Sequence, residues 1–303
     1  MRKLTKNATQ TERDFFGLTR SHGKDFVVVG IPWDATSSYT RGAAAGPDAI
    51  RRATSSLLYN HFTERGDDLT DLWKVCDHGN VKKVTKTSGL YKALYSTTTL
   101  HDHNRCPVLF LGGDHFVTYP AFNVVSEIHR NRLSLLYFDA HPDLYASYGN
   151  SPYSHATVVS RILDGKDSSS GVVCYVGIRA STKEQNDRIK SLNLSQYTAH
   201  DVYTIGCDTV SSAIKGRLQG GPVYVSIDLD CLDPAYAPGV GNPQPGGLTT
   251  RQLFEILHGI AGLDIIAADI VEYSPVCDSS ARTTAFTSAM IIKEVMGIIG
   301  KVN

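Results

Sequence analysis

Two stretches of the chain carry acidic or imidazole side chains at every second position: Asp139-Ala140-His141-Pro142-Asp143 and Asp228-Leu229-Asp230. Each follows an apolar run suited to a buried strand, Leu133 to Phe138 and Pro222 to Ile227. Side chains alternate across a strand with period two, so an extended path would put Asp139, His141 and Asp143 on one face, and Asp228 and Asp230 likewise. Carboxylates crowded in this way repel one another and lose hydration unless cations neutralise them. A third apolar run, Val108 to Leu111, leads into Gly112-Gly113-Asp114-His115, where the glycines permit a tight path. A lone histidine there would more often make a structural hydrogen bond; the ligands at the two other strand ends draw His115 into the same set.

His115, Asp139, His141, Asp143, Asp228 and Asp230 together offer four carboxylates and two imidazoles, a charge that two divalent cations balance. Oxygen-rich, thiolate-free donors favour a hard ion such as Mn²⁺ over a structural zinc. Cys231 adjoins Asp230, but neighbours on a strand face opposite sides, so a buried thiol is expected there. A pair of cations bridged by carboxylates lowers the pKa of a shared water and generates hydroxide near neutral pH. The chemistry expected is metal-assisted hydrolysis.

Strand candidates are Phe26 to Ile31, Pro107 to Leu111, Leu133 to Phe138, Val172 to Val176, Val223 to Ile227 and Ile265 to Val271. Helices are expected over Pro47 to Leu58, Gly89 to His101, Tyr119 to Arg130 and Thr250 to Gly262, the last opened by a Thr249-x-x-Gln252 capping box. The strands lack polar alternation, as in a sheet covered on both faces. Alternation of such strands with helices predicts an α/β fold with a central, mainly parallel sheet flanked by helices. No linker or repeat divides the 303 residues, so one domain is expected, with residues 1–24 as a polar N-terminal extension packed on or near it. Ligands in such sheets bind beyond the carboxyl ends of the strands, where the acidic motifs stand.

The 30 basic and 30 acidic residues leave no net charge to attract nucleic acid. The longest apolar runs are far short of the roughly 20 residues needed to span a bilayer. The polar start resembles no secretory signal, and six scattered cysteines form no CxxC pair, so a cytoplasmic protein with reduced thiols is expected.

GGDH, DAHPD and the segment from Ser226 to Gly239 match, in order and spacing, the signatures of the ureohydrolases, the family of arginase, agmatinase and formiminoglutamase. Gly30 to Asp34, Ser38 to Gly42, Gly46 to Arg51 and Asp269 to Glu272 extend the resemblance over nearly the whole chain. It implies a three-layer arginase-like fold and two manganese ions per subunit. His115, Asp139, Asp143 and Asp228 resemble the ligands of one ion, and Asp139, His141, Asp228 and Asp230 those of the other. His155 resembles the histidine that shuttles protons to the leaving amine, and Glu272 the carboxylate that binds the guanidinium. The implied reaction is attack of a metal-bridging hydroxide on the guanidinium carbon, releasing urea and an amine. Relatives of this kind form trimers or hexamers.

Tyr145 stands where arginases carry a carboxylate-binding Asn, and Gly177-Ile178-Arg179 is followed by Ala180-Ser181 instead of acidic residues. This resembles agmatinase, implying agmatine as substrate, putrescine as product and a role in polyamine biosynthesis. Three residues depart from the family pattern. Phe116 replaces the Ser of GGDHS, Ala156 a Gly, and Asn242 a Thr near the guanidinium, which points toward guanidinobutyrate as an alternative substrate. Arginine and formiminoglutamate are further alternatives, and a non-catalytic relative or a single-metal deacetylase-type hydrolase fits less well, since every ligand is present.

Overall fold

The structure, a computed structural model, describes residues 14–98, 106–129, 133–165 and 172–300. Its centre is an eight-stranded, all-parallel sheet in the order β2-β1-β3-β8-β7-β4-β5-β6. The strands are β1 (Lys24–Gly30), β2 (Trp73–Asn80), β3 (Val108–Leu111), β4 (Ser134–Phe138), β5 (Val173–Ile178), β6 (Ser195–Thr198), β7 (Val223–Asp228) and β8 (Ile265–Val271). Every residue of β3, β4, β5 and β7 is buried, because helices cover both sheet faces. One core cluster contains Leu136, Val225, Ile256 and Ile292, the other Phe110, Leu135, Phe122 and Val159. Alternate residues of each strand thus feed opposite layers.

The two strands that the sequence pattern misses, β2 and β6, are the sheet edges. Each has one neighbour and less apolar burial, so their sequences, WKVCDHGN and SQYT, read as polar. The helix expected over Pro47 to Leu58 is α1 (Gly46–Ala53) and stops early. Thr54 Oγ1 donates to the Arg51 carbonyl (3.0 Å) and Ser55 Oγ accepts from Leu57 N–H (3.2 Å), so hydroxyls compete with the helical ladder. Short α2 (Leu69–Leu72) precedes β2. The two middle helices are α3 (Thr87–Thr98) and α4 (Thr118–Ile128); residues 99–101 and 130 of the expected spans lie outside the described residues. After α5 (Val158–Asp164), α6 (Lys183–Ser191), α7 (Ala199–Ile205) and α8 (Cys207–Leu218) comes α9 (Thr250–Gly259). It begins with the expected capping box and ends three residues sooner than its apolar pattern. The chain closes with α10 (Thr283–Ile299).

Residues 1–13 of the N-terminal extension lie outside the described residues. Its remaining part inserts Phe15, Phe16 and Leu18 into the core. No helix among the described residues is long and apolar enough to cross a membrane. The sheet order matters most for the site. β3, β8, β7 and β4 are consecutive neighbours, so the chain ends carrying His115, Glu272, Asp228 and Asp139 emerge side by side.

Candidate metal centre

The ligand-type residues converge, by a different local path from the extended one. β4 ends at Phe138, and Asp143 adopts a left-handed backbone (φ 47°), so the DAHPD segment is a loop and not a continued strand. Asp228 caps a short 3₁₀ turn, Leu229–Cys231, and its carboxylate accepts the Asp230 N–H at 2.7 Å. That bond bends the chain and carries Asp230 into the cluster. At the third strand end a close crossing sets the path: Asp114 N–H donates to the Trp33 carbonyl at 2.7 Å. A Cβ at position 113 would stand 1.7 Å from that carbonyl oxygen, so only glycine fits.

Two groups of donor atoms result, His115 with Asp139 and Asp228, and Asp139 with His141 and Asp230, each within a 4.8 Å span. Asp139 belongs to both. His115 Nδ1 is 2.9 Å from Asp139 Oδ2 and 2.9 Å from Asp228 Oδ2, with Asp143 Oδ2 at 3.5 Å. His141 Nδ1 is 3.1 Å from Asp230 Oδ2 and 3.4 Å from Asp139 Oδ1. One ring nitrogen cannot donate to several oxygens at once, and buried Asp139 Oδ2 has no hydrogen bond despite its nearness to His115. Donor atoms gathered round a point with an unsatisfied buried oxygen fit a cation.

Without cations the electrostatics are strained. Burial pushes the Asp228 and Asp143 carboxyls well above their usual pKa, helped by Asp230 and Asp139 respectively. Burial opposes charge on His141, but Asp230 and Asp139 overcome it and push the ring up to about 12. His115 is likewise raised against its burial by Asp139 and Asp228. Protons therefore stand in for positive charge that divalent ions would supply.

Behind the cluster lies a buried network that residue types alone did not reveal. Ser226 Oγ donates to Asp269 Oδ1 (2.7 Å), and Thr118 Oγ1 and Tyr224 OH donate to Asp269 Oδ2 (2.7 and 2.8 Å). With its proton committed to Asp269, Ser226 Oγ accepts from His115 Nε2 at 2.9 Å. His115 thus keeps its proton on Nε2, so a cation that displaces the Nδ1 proton would find the Nδ1 lone pair aimed among the carboxylates, the tautomer a metal requires. Tyr137 stacks on His115 at 4.5 Å and donates to Asp143 Oδ2 at 2.7 Å. The signal was present: Ser226 precedes Asp228 by two on one strand face, and Asp269, its register partner, is a lone charge in an apolar strand.

Cys231 is fully buried in the core, and burial raises its thiol pKa well above the usual value, so it offers no thiolate. Glu272 is buried, not a solvated strand end, and has a left-handed backbone (φ 64°). Its Oε1 accepts the His115 N–H at 2.8 Å. Burial and then Asp114 push its pKa well up, a cost that a cationic ligand relieves. His155 and Asn242 also line the cleft, with Ser37, Ser38, Tyr39 and Thr40 on its far wall. Gly241 lets that wall close, since a Cβ there would be 2.9 Å from the Thr40 carbonyl. The Asn242 amide is next to His141, Nδ2 to Nε2 at 3.1 Å, so its first partner is the ring. A half turn of the amide offers Oδ1 to Nε2–H and frees Nδ1 for a cation. Tyr145 is not among the residues lining the cleft; its ring packs on Tyr148, which packs edge-on against His155.

His155 Nε2 is buried without a hydrogen-bond partner. Burial, then the charges of His115 and His141, lower its pKa from 6.5 to about 4. The folded state resists a proton that the unfolded chain takes up below 6.5, so this stability is fully present above that pH and is lost as pH falls toward 4. Thermal unfolding of the chelated protein between those limits is expected to show a shallower pH slope in His155→Gln than in wild type. Parallel slopes would contradict a neutral, buried His155.

The sequence matches the Arginase family over residues 24–297. The chain belongs to the arginase family. It is 34% identical over 281 residues to "Arginase 1, mitochondrial" of Oryza sativa subsp. indica, covering 90% of this chain and 81% of that protein. It is 32% identical over 288 residues to an agmatinase of Blochmanniella floridana, with 93% and 90% covered. The crystal structure of agmatine ureohydrolase of Thermoplasma volcanium superimposes with a TM-score of 0.82 at 27% identity, over 95% of this chain and 94% of that one. Membership of the arginase family accounts for GGDH, DAHPD and the Asp228–Asp230 pair standing at the ends of β3, β4 and β7 in one parallel sheet, with β8 between β3 and β7. This is a ureohydrolase-type hydrolase with clustered His and Asp groups that could bind metal.

Proposed function

We propose that the chain is an agmatinase-type ureohydrolase that holds two manganese ions and converts agmatine to putrescine and urea. The observation that carries this reading is the pair of donor groups joined through Asp139. His115, Asp139, Asp143 and Asp228 would hold one ion, and Asp139, His141, Asp228 and Asp230 the other. Bound there, the pair would neutralise the carboxylates, supply Lewis acidity and acidify water. Glu272 would pair with the planar guanidinium through charge-assisted hydrogen bonds and hold it in the cleft. His155, in the cleft wall, would take up the proton released by the attacking water and relay it to the departing nitrogen, which cannot leave as an anion.

The choice of agmatine rests on charge. Among the described residues, no Lys or Arg lines the cleft or the groove beside it. Arg41, outside both linings, donates to the Ala35 carbonyl at 3.4 Å. Arg179 is taken up by the carbonyls of Gly177, Asp230, Cys231, Leu232 and Gln244. A substrate carboxylate would therefore meet hydroxyls but no cationic partner, and its desolvation would go without a compensating charge. With manganese present, urea release from agmatine, arginine and 4-guanidinobutyrate, and formamide release from formiminoglutamate, are expected to favour agmatine by about tenfold or more in kcat/KM. Equal or greater efficiency on arginine would overturn the choice of substrate.

A further inference from the structure

The cleft opens sideways into more space than a four-carbon amine needs. Ser38 belongs both to the cleft wall and to a groove of about 1010 Å³, counted to its open mouth, lined by Trp33, Thr36, Thr85, Tyr148 and Ser151 among others. Thr87 and Tyr153 in turn belong both to this groove and to a pocket of about 550 Å³ lined by Tyr91, Phe116, Tyr119 and Asn123. Among the described residues, neither groove nor pocket is lined by an acidic or basic side chain. Glu127, nearby, accepts the Tyr91 hydroxyl at 2.5 Å and is so engaged.

The path therefore changes chemistry along its length: carboxylates at the cleft, hydroxyls in the groove, aromatic rings at the end. The rings form a cluster, Phe116 to Tyr119 at 6.0 Å, Phe116 to Tyr153 at 6.2 Å and Tyr119 to Tyr153 at 6.3 Å. Such rings hold another aromatic group by offset or edge-on contact. Phe116 is the residue that replaces the usual serine after GGDH, so a local departure from the family pattern supplies part of this wall. The groove also runs on the amine side of the reaction. Tyr148, in its wall, packs edge-on at 5.9 Å against His155, which faces the departing nitrogen in the reading above.

We propose that this groove and pocket form a distal subsite for an elongated guanidino compound that is uncharged beyond its guanidinium. Its middle carries a hydrogen-bonding amide, which meets the hydroxyls of Ser38, Thr36 and Thr87, and its far end carries an aromatic ring, which enters the Phe116, Tyr119 and Tyr153 cluster. An arylacyl amide of a guanidinoalkylamine has this order of groups. The subsite rests on the ureohydrolase reading for its orientation, and its occupancy is a matter of binding alone.

The test uses the manganese-loaded full chain and a series of arylacyl amides of agmatine with increasing spacer length, read by calorimetric binding and by urea release. The expected result is an optimum spacer that binds at least about tenfold more tightly than agmatine. Tyr153→Ala, an exposed change, and Asn123→Trp, which fills the pocket, are each expected to remove that gain while agmatine turnover stays as in wild type. Affinity independent of the aryl group, or a gain that survives both variants, overturns the subsite. Tight aryl-dependent binding with no urea from any guanidine supports the subsite and counts against the ureohydrolase reading instead.

Discussion

Asp228→Asn is expected to remove nearly all urea release, a loss of at least about 100-fold, since disturbing even the residues behind a metal ligand costs 10–100-fold. Two contacts explain why this position is so sensitive. Asp228 Oδ2 lies 2.9 Å from His115 Nδ1 within the donor cluster, and Asp228 Oδ1 accepts the Asp230 N–H at 2.7 Å. Asparagine keeps an oxygen for the second contact and loses the charge needed for the first. The turn carrying Asp230 should therefore survive, and the metal-free variant should unfold within a few degrees of the metal-free parent. Asp228→Ala loses both contacts and should be the less stable of the two. Turnover close to wild type in Asp228→Asn would remove this residue from the site.

Stripping divalent ions with a chelator is expected to abolish turnover and lower the thermal midpoint, and manganese to restore both. The unliganded cluster keeps Asp143, Asp228 and Asp230 buried near one another, with burial raising the pKa of each. Ions that bind only the folded state stabilise it by about 2.7 kcal/mol per site at a hundredfold excess over Kd. For a chain of this size that corresponds to several degrees or more, at about 2–4 °C per kcal/mol. Differential scanning calorimetry before chelation, after it and after refilling measures the shift. A protein shown by elemental analysis to be free of metal, yet still releasing urea, would exclude cation chemistry.

Much of the centre was readable because its residues are unusual where they occur. Asp139, His141, Asp228 and Asp230 directly follow apolar runs, and a charge just past a buried strand is costly unless it is used. The six central strands were readable for the opposite reason, as mainly apolar segments with few polar interruptions. The edge strands Trp73–Asn80 and Ser195–Thr198 were not, because partial burial leaves them with loop-like composition. Hydrogen bonds decided what periodicity could not: the stop of α1 at Ala53 and the turn at Asp228 each depend on particular partners. Asp269 stands in a legible motif, but its role depends on Ser226 across the β7–β8 register, which the sequence does not display. Tyr145 illustrates the converse, a position drawn from family resemblance whose ring the fold directs to Tyr148 and not to the cleft wall.

The most direct test of a paired centre is titration of manganese into the metal-free protein, with bound metal counted by elemental analysis and urea release from agmatine followed in parallel. Two ions per chain are expected at the plateau, with turnover appearing fully only as the second site fills. Full turnover with one firmly bound ion per chain would contradict the shared role of Asp139 and with it the two-ion mechanism.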